Sequence, residues 1–353
     1  MVRRVLSVFL LGVCLSTVSV SAQARATITV FDVPGASTTA GTLPVGMSAQ
    51  GDVAGYFTDR QRFRGFIRAA DGEYKIFNAG KKTQTYPYGI NSSGAVTGNF
   101  DYDAEGVMHG FVRSADGTTT AFDAPGAAGG IGTEPILIND SGTVAGFFSD
   151  RHEVLHGFLR APDGTMTTVD VAGAGTDSND GTYITNLSAN GTVTGYFVDS
   201  DFVQNGYVRK PHGAITTFVI DGATNTSPQG INARGVVCGT YSDSTHAYHA
   251  FVRAADGTIA TFDVDGGGSG VGEGTVAYTI NKQGLIGGYT IDDIGAYHGF
   301  LRSPSGKVTM VDVAGAGTGS GQGTFLQTVN DDGEVMGAFI DAQNVFHGFV
   351  RTK

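Results

Sequence analysis

An aspartate with a histidine six positions further on recurs along the chain: Asp103/His109, Asp150/His156, Asp243/His249, Asp292/His298 and Asp341/His347. A carboxylate that orients an imidazole is the working part of many general bases. The other copies of the pattern argue for a different role. Asp199 meets Asn205 in the same place, and Asp59 meets Arg64 one residue sooner. Asparagine and arginine keep a hydrogen bond but cannot act as the base. A feature written into every copy of a unit is what each unit needs to close its own loop, so these pairs are expected to be structural.

The residues that break the pattern are the ligand-face candidates. "DRQRFRG" places Arg60, Arg62 and Arg64 in one loop, and "DRHE" places Arg151 and His152 in another. Lys81 and Lys82 follow in "GKK". Together they offer a basic patch for an acidic glycan or a carboxylate, although solvated loop charges explain them as well. "DYDAEG" sets Asp101, Asp103 and Glu105 in the spacing of the front half of a calcium loop. The rear acidic ligand is missing, with His109 near its place, so no metal is assigned. "GTDSNDG" (175–181) is a second polar loop of the same kind. The repeated aspartates cannot share one cation. Neighbouring sheets lie about 10 Å apart, whereas calcium takes oxygens at about 2.3–2.6 Å. Tyr86, Tyr88, Tyr183 and Tyr278 fall in or near the expected inner strands, where a channel mouth or plain packing would use them. The sequence contains no G-x-S-x-G elbow, no H-E-x-x-H and no Walker-type glycine run. Runs such as "GAGTGSGQG" open no helix, so no cofactor is expected.

The elements that carry these residues come from one unit written seven times. The phrase GF-x-R, or a near variant, ends at Arg68, Arg113, Arg160, Arg209, Arg253, Arg302 and Arg351, a period of 44–49 residues. A phrase beginning at Gly51, Gly94, Gly142, Gly191, Gly235, Gly284 and Gly333 keeps step with it. Each copy parses into four short strands. The first resembles "TTTAFD", the second ends in "IN" before an N-x-x-G turn, the third is like "TVAGFF", and the fourth is "HGFLR". A Gly-rich loop of variable length separates the first strand from the second. Adjacent apolar residues, such as Phe158 and Leu159, mean that both strand faces are covered. Radially stacked sheets do this and hide all but short edges. The expected fold is therefore all-β: a seven-bladed β-propeller with four-stranded blades, a single domain over 25–353. "TITVFD" at the N-terminus is a first-strand phrase and "HGFVRTK" at the C-terminus a fourth-strand phrase. The N-terminal strand is thus expected to join the last blade and close the structure.

Composition sets the surroundings. "MVRR", the apolar run "VLSVFLLGVCLSTVSV" and the small residues of "SAQA" read as a secretory signal peptide over 1–24. No later segment is apolar enough to span a membrane. Losing Arg3 and Arg4 with that leader moves the net charge from −11 to −13, which disfavours nucleic acid as a partner. Cys238 is then the single remaining cysteine. It admits no internal disulfide and reads as a small buried filler.

The unit "IN-x-x-G-x-V-x-G-x-F … H-[GA]-F-x-R" resembles the HAF-type bacterial extracellular repeat family, whose phrase stands here as His249-Ala250-Phe251. The resemblance covers 27–351. It implies export and a β-propeller-like repeat protein, and it transfers no activity and no catalytic residue. This chain departs from the family in placing F-x-R where many members place a tryptophan. The expected function is a secreted, non-catalytic, monomeric module that binds a glycan or protein partner through its long-loop face. The alternative is an extracellular hydrolase or lyase acting on a polymer at the channel mouth. It requires non-repeated acids or histidines from different blades to converge there.

Overall fold

The structure, a computed structural model, describes residues 26–59, 62–81, 83–101, 106–128 and 131–353. The 1–24 leader, Arg60, Lys82, Asp103 and Glu105 lie outside the described residues. Those residues fold as 28 β-strands. Antiparallel pairing groups them into seven sets of four, each running inner, second, third, outer, and single parallel pairs join some of the sets into sheets of twelve and eight strands beside two of four. The inner strands are Thr42–Met47, Gln84–Ile90, Thr133–Ile138, Gly181–Leu187, Asn225–Ile231, Gly274–Ile280 and Gly323–Val329. Within a unit the tight turn after GF-x-R hands the chain to the outer strand, as where Leu155–Arg160 pairs with Met166–Val169. The Gly-rich loop then leads to the inner strand of the next unit. The seventh unit takes its outer strand from the other end of the chain, Thr27–Phe31, which pairs antiparallel with Phe346–Thr352.

Three repeated contacts show why the sequence folds this way. The aromatic of each GF-x-R phrase is sealed in its unit: Phe66, Phe111, Phe158, Tyr207, Phe251, Phe300 and Phe349 are each at most 1% exposed. Burying one such ring contributes about 1.5–3 kcal/mol. In five copies the arginine of the phrase lies over an aromatic ring at the end of the preceding outer strand. Arg113 stacks on Phe77, Arg160 on Phe122, Arg253 on Phe218 and Arg302 on Phe262, at 4.3–4.9 Å. Arg68 does the same over Phe31, from the first unit onto the N-terminal strand. These are cation–π clips between sheets.

The crossover loops are closed by a buried threonine at or near the start of each inner strand. Thr182 Oγ1 accepts a hydrogen bond from the Val171 N–H at 3.0 Å, and Thr324 accepts from Val313 at 3.0 Å. Thr42, Thr85, Thr133, Thr226 and Thr275 do likewise in their units. Glycine usually precedes that threonine because the chains touch there. Gly181 has φ 113°, and a Cβ on it would meet the Leu155 carbonyl of the previous unit. The N-x-x-G turns are linked as well. Asn91 Nδ2 donates to the Asn139 carbonyl, Asn232 to Asn281 and Asn281 to Asn330, each at 3.0 Å. Each of these asparagines also caps its own turn through Oδ1. Cys238 is fully buried, and burial pushes its thiol up to about 12, as suits an inert filler.

Candidate functional site

The Asp…His pairs whose residues are both described lie at the two ends of their hairpin loops and are held by local hydrogen bonds. The first carboxylate oxygen caps the loop: Asp243 Oδ1 accepts from the N–H groups of Thr245 and Ala247, and Asp341 Oδ1 from those of Gln343 and Val345. The second faces the histidine. Asp341 Oδ2 lies 3.2 Å from His347 Nε2, and Asp243 Oδ2 and Asp292 Oδ2 lie 3.4 Å from His249 Nε2 and His298 Nε2. The other ring nitrogen reaches a second aspartate just after the outer strand: Asp32 for His347, Asp263 for His249, Asp312 for His298, Asp170 for His156 and Asp123 for His109. Sequence reasoning missed this second carboxylate, although the "FD" or "VD" ending of the first-strand phrase carried it. For His156 the missed partner is the closer one. Asp170 lies at 2.8 Å and Asp150 at 3.9 Å. Where asparagine replaces histidine, Asn205 Nδ2 donates to Asp199 Oδ2 at 2.8 Å.

Burial pulls His249, His298 and His347 down. Their two flanking carboxylates outweigh it through hydrogen bonds and charge, so all three are raised. Asp243 is held down at about 2, first by the Thr245 hydroxyl. In Asp150, Asp199, Asp292 and Asp341 burial raises the carboxyl, but donated hydrogen bonds win and all four end lowered.

The described ligand-face candidates fall at three places, Arg62 with Arg64, Asp101, and Arg151 with His152, and much of their chemistry is used locally. Arg64 Nη1 reaches Asp59 at 3.9 Å, Asp101 accepts from the Gln84 backbone N–H at 2.9 Å, and the Arg151 Nε–H donates to His152 Nε2 at 2.9 Å. Arg62 contributes its backbone N–H to Asp59 Oδ1. In the second polar loop Ser178 donates to Glu153 at 2.7 Å, and the Asp180 side chain is buried under the crossover. Among the described residues no group of three His, Cys, Asp or Glu side chains is arranged to hold a metal ion.

Non-repeated chemistry converges elsewhere, on the inner strands. Each inner strand carries a β-bulge against its second strand. The register skips one residue between Pro44 and Gly46, Pro87 and Gly89, Pro135 and Leu137, and Ile184 and Asn186. It skips again between Pro228 and Gly230, Ala277 and Thr279, and Leu326 and Thr328. A bulge re-aims the extra side chain. All seven extra residues line one cavity of about 490 Å³ at which the seven inner strands meet. All four tyrosines singled out in the sequence lie in inner strands, and Tyr88 and Tyr278 are two of the seven bulge residues that line the cavity. Tyr86 and Tyr183 instead pack in aromatic clusters, against Tyr56 at 5.3 Å and Tyr196 at 4.6 Å.

Beside Tyr88 stands Glu134, from the next inner strand. It is the one charged residue in all seven inner strands. Burial pushes its carboxyl up to about 7, against the pull of the Asn99 amide. Burial also raises Tyr88, with the Glu134 charge adding to it and Asn99 again opposing. Asn99 is 1% exposed, and at rest its amide makes no hydrogen bond of standard length. It lies near enough to both neighbours to favour their ionised forms. A carboxyl poised near neutrality between two neutral hydrogen-bonding groups suits proton transfer. Sequence reasoning passed over Glu134. Its signal was an acid in a strand position that sister units fill with Leu43, Tyr86, Tyr183, Ser227, Val276 and Phe325.

No family model and no curated protein matches the chain. Solved structures do. A streptogramin B lyase aligns over 93% of this chain and 98% of its own, at TM-score 0.60 and 14% identity. A catalytically inactive virginiamycin B lyase from Staphylococcus aureus, with quinupristin, aligns over 93% and 100% at TM-score 0.56 and 13% identity. A prolyl endopeptidase aligns over 84% of this chain and 46% of its own, at TM-score 0.56 and 12% identity. At such identities the likeness is one of fold: this chain is an all-β protein of β-propeller architecture.

Proposed function

We propose that this chain is a secreted, single-domain, seven-bladed β-propeller of the extracellular repeat type, and that it acts as a lyase on an extracellular polymer at the channel mouth. Ring closure is supported by contacts that carry the seventh unit onto the first. The N-terminal strand completes the last unit, Val33 donates to Thr42, Gly41 bridges Phe346, and Arg68 clips Phe31.

The observation that carries the catalytic reading is Glu134, the one charged residue of the inner strands, set beside Tyr88 and Asn99 with its carboxyl raised to about 7. Glycoside hydrolysis generally uses two carboxylates flanking the bond. One base beside neutral donors fits elimination better. In such a step the Glu134 carboxylate takes a proton from the carbon next to a carbonyl. The electron pair forms a carbon–carbon double bond and expels the oxygen on the neighbouring carbon, which leaves with the proton that Glu134 has taken. The Tyr88 hydroxyl, kept protonated by burial, donates toward the carbonyl oxygen as charge builds there.

The test is a screen of extracellular polysaccharides and ester-linked peptides for a new conjugated double bond, read in the ultraviolet. We expect turnover by the native protein and a loss of at least about 100-fold in Glu134→Gln. Undiminished turnover in that variant would refute the role of Glu134, and no turnover of any polymer would refute the lyase reading. Non-catalytic binding through the long-loop face is the second reading. A cavity of about 260 Å³ on that face favours it, lined by Gln204, Asn225, Tyr241, His246 and Tyr248.

A further inference from the structure

The cavity formed by the seven bulges is uncharged throughout, in a protein of net charge −11. Its two sides differ. Val45, Tyr88 and Ile136 present an apolar arc, continued by Met47, Leu137 and Ile138. Thr185, Gln229, Tyr278 and Gln327 present amides and hydroxyls from the opposite arc. The polar arc is only partly committed to the protein. Thr185 Oγ1 is held by the carbonyls of Thr194 and Pro228, and Gln229 Nε2 donates to Ser227. Gln327 Oε1 has no partner. Tyr278 is enclosed enough for burial to raise its hydroxyl, yet 41% of its surface is open. Both hold because that surface faces the cavity rather than bulk water.

An ionised carboxylate entering this space would lose its hydration and find no cation in exchange, which is strongly unfavourable. A sugar ring with one apolar face, its acid esterified, finds matching surfaces on both arcs. The chemistry of elimination points the same way. An ester carbonyl withdraws electrons from the neighbouring carbon more strongly than a carboxylate does, and it needs no counter-charge.

We infer that the channel is a specificity site for uncharged sugar units, and that the polymer is a uronan whose carboxyls are esterified. This rests on the lyase reading for its chemistry, but binding can be measured without turnover. The experiment titrates the Glu134→Gln protein calorimetrically with methyl-esterified oligogalacturonides, with the same oligomers de-esterified, and with a neutral capped peptide. Only the esterified oligomers should bind. Gln327→Glu, which sets a charge in the polar arc, should weaken them at least 10-fold, and Tyr278→Phe several-fold, both with an unchanged melting temperature. Equal or tighter binding of the free acids, preference for the peptide, binding by none of the three, or indifference to both channel variants would each overturn the inference. Binding of the esterified oligomers with no turnover by the native protein would leave the site standing and remove the lyase.

Discussion

At the scale of the residue, the chain separates into side chains that repeat and side chains that do not. The buried threonine at each crossover is a repeated one. Thr182→Val keeps the shape but strands the Val171 N–H, which the hydroxyl now satisfies at 3.0 Å. Leaving a buried donor unpaired costs about 1–3 kcal/mol, so the melting temperature should fall by about 2–8 °C, measurable by calorimetry. The histidines give a dependence on pH. His347 is raised by Asp32 and Asp341 despite burial. Its contribution is therefore fully present below the unfolded value, about 6.5, and fades as pH rises through the folded one. Stability measured from pH 6 to 8 should decline, and His347→Gln should flatten that decline. The opposite slope would contradict the assigned partners. The lowered aspartates act at the other end: their contribution holds above about 3.9 and is lost on acidification, last of all at Asp243, near pH 2. The contact between the two members of each described Asp…His pair was legible because the spacing recurs, with asparagine at 205 keeping the bond to Asp199. The second aspartate was not, because it lies 14 residues away across a strand pair, beyond any local phrase.

At the scale of the element, strand order and unit boundaries were readable from the repeat, down to the N-terminal strand on the seventh unit. The β-bulges were not readable. A bulge adds one residue to a strand without altering its apolar pattern, and here that residue ranges over valine, isoleucine, threonine, glutamine and tyrosine. With the bulges unseen, the residues that converge on the cavity stayed hidden, Ile136, Thr185, Gln229 and Gln327 among them. The bulged strand also explains a glycine: a Cβ at Gly146, directly across the strand pair, would collide with the Glu134 carbonyl. Gly146→Ala should therefore destabilise the third unit, and a melting temperature equal to the native one would count against the bulge. The asparagine ladder joins turn to turn in the same register. Asn281→Ala removes its cap on the Gln283 and Leu285 N–H groups and its bond to Asn330. We expect about 1–3 kcal/mol lost, seen as a lower denaturation midpoint.

At the scale of the whole molecule, the first described strand, Thr27–Phe31, lies paired beside the last, Phe346–Thr352. Deleting residues 25–33 strips Phe31 and Val33 from the cluster they share with Phe66 and Met336. It also frees the edge of the last strand. The burial lost is about 3–6 kcal/mol, which should lower the melting temperature by roughly 6 °C or more. An unchanged melt would refute closure by that strand. The crossover from the N-terminal strand into the first unit is built with the same threonine bond, the same arginine clip and the same glycine approach as crossovers inside the chain. Joining Lys353 to the N-terminal strand by a short linker, and opening the chain in another crossover such as 312–322, should yield a circular permutant that folds to the same molecule.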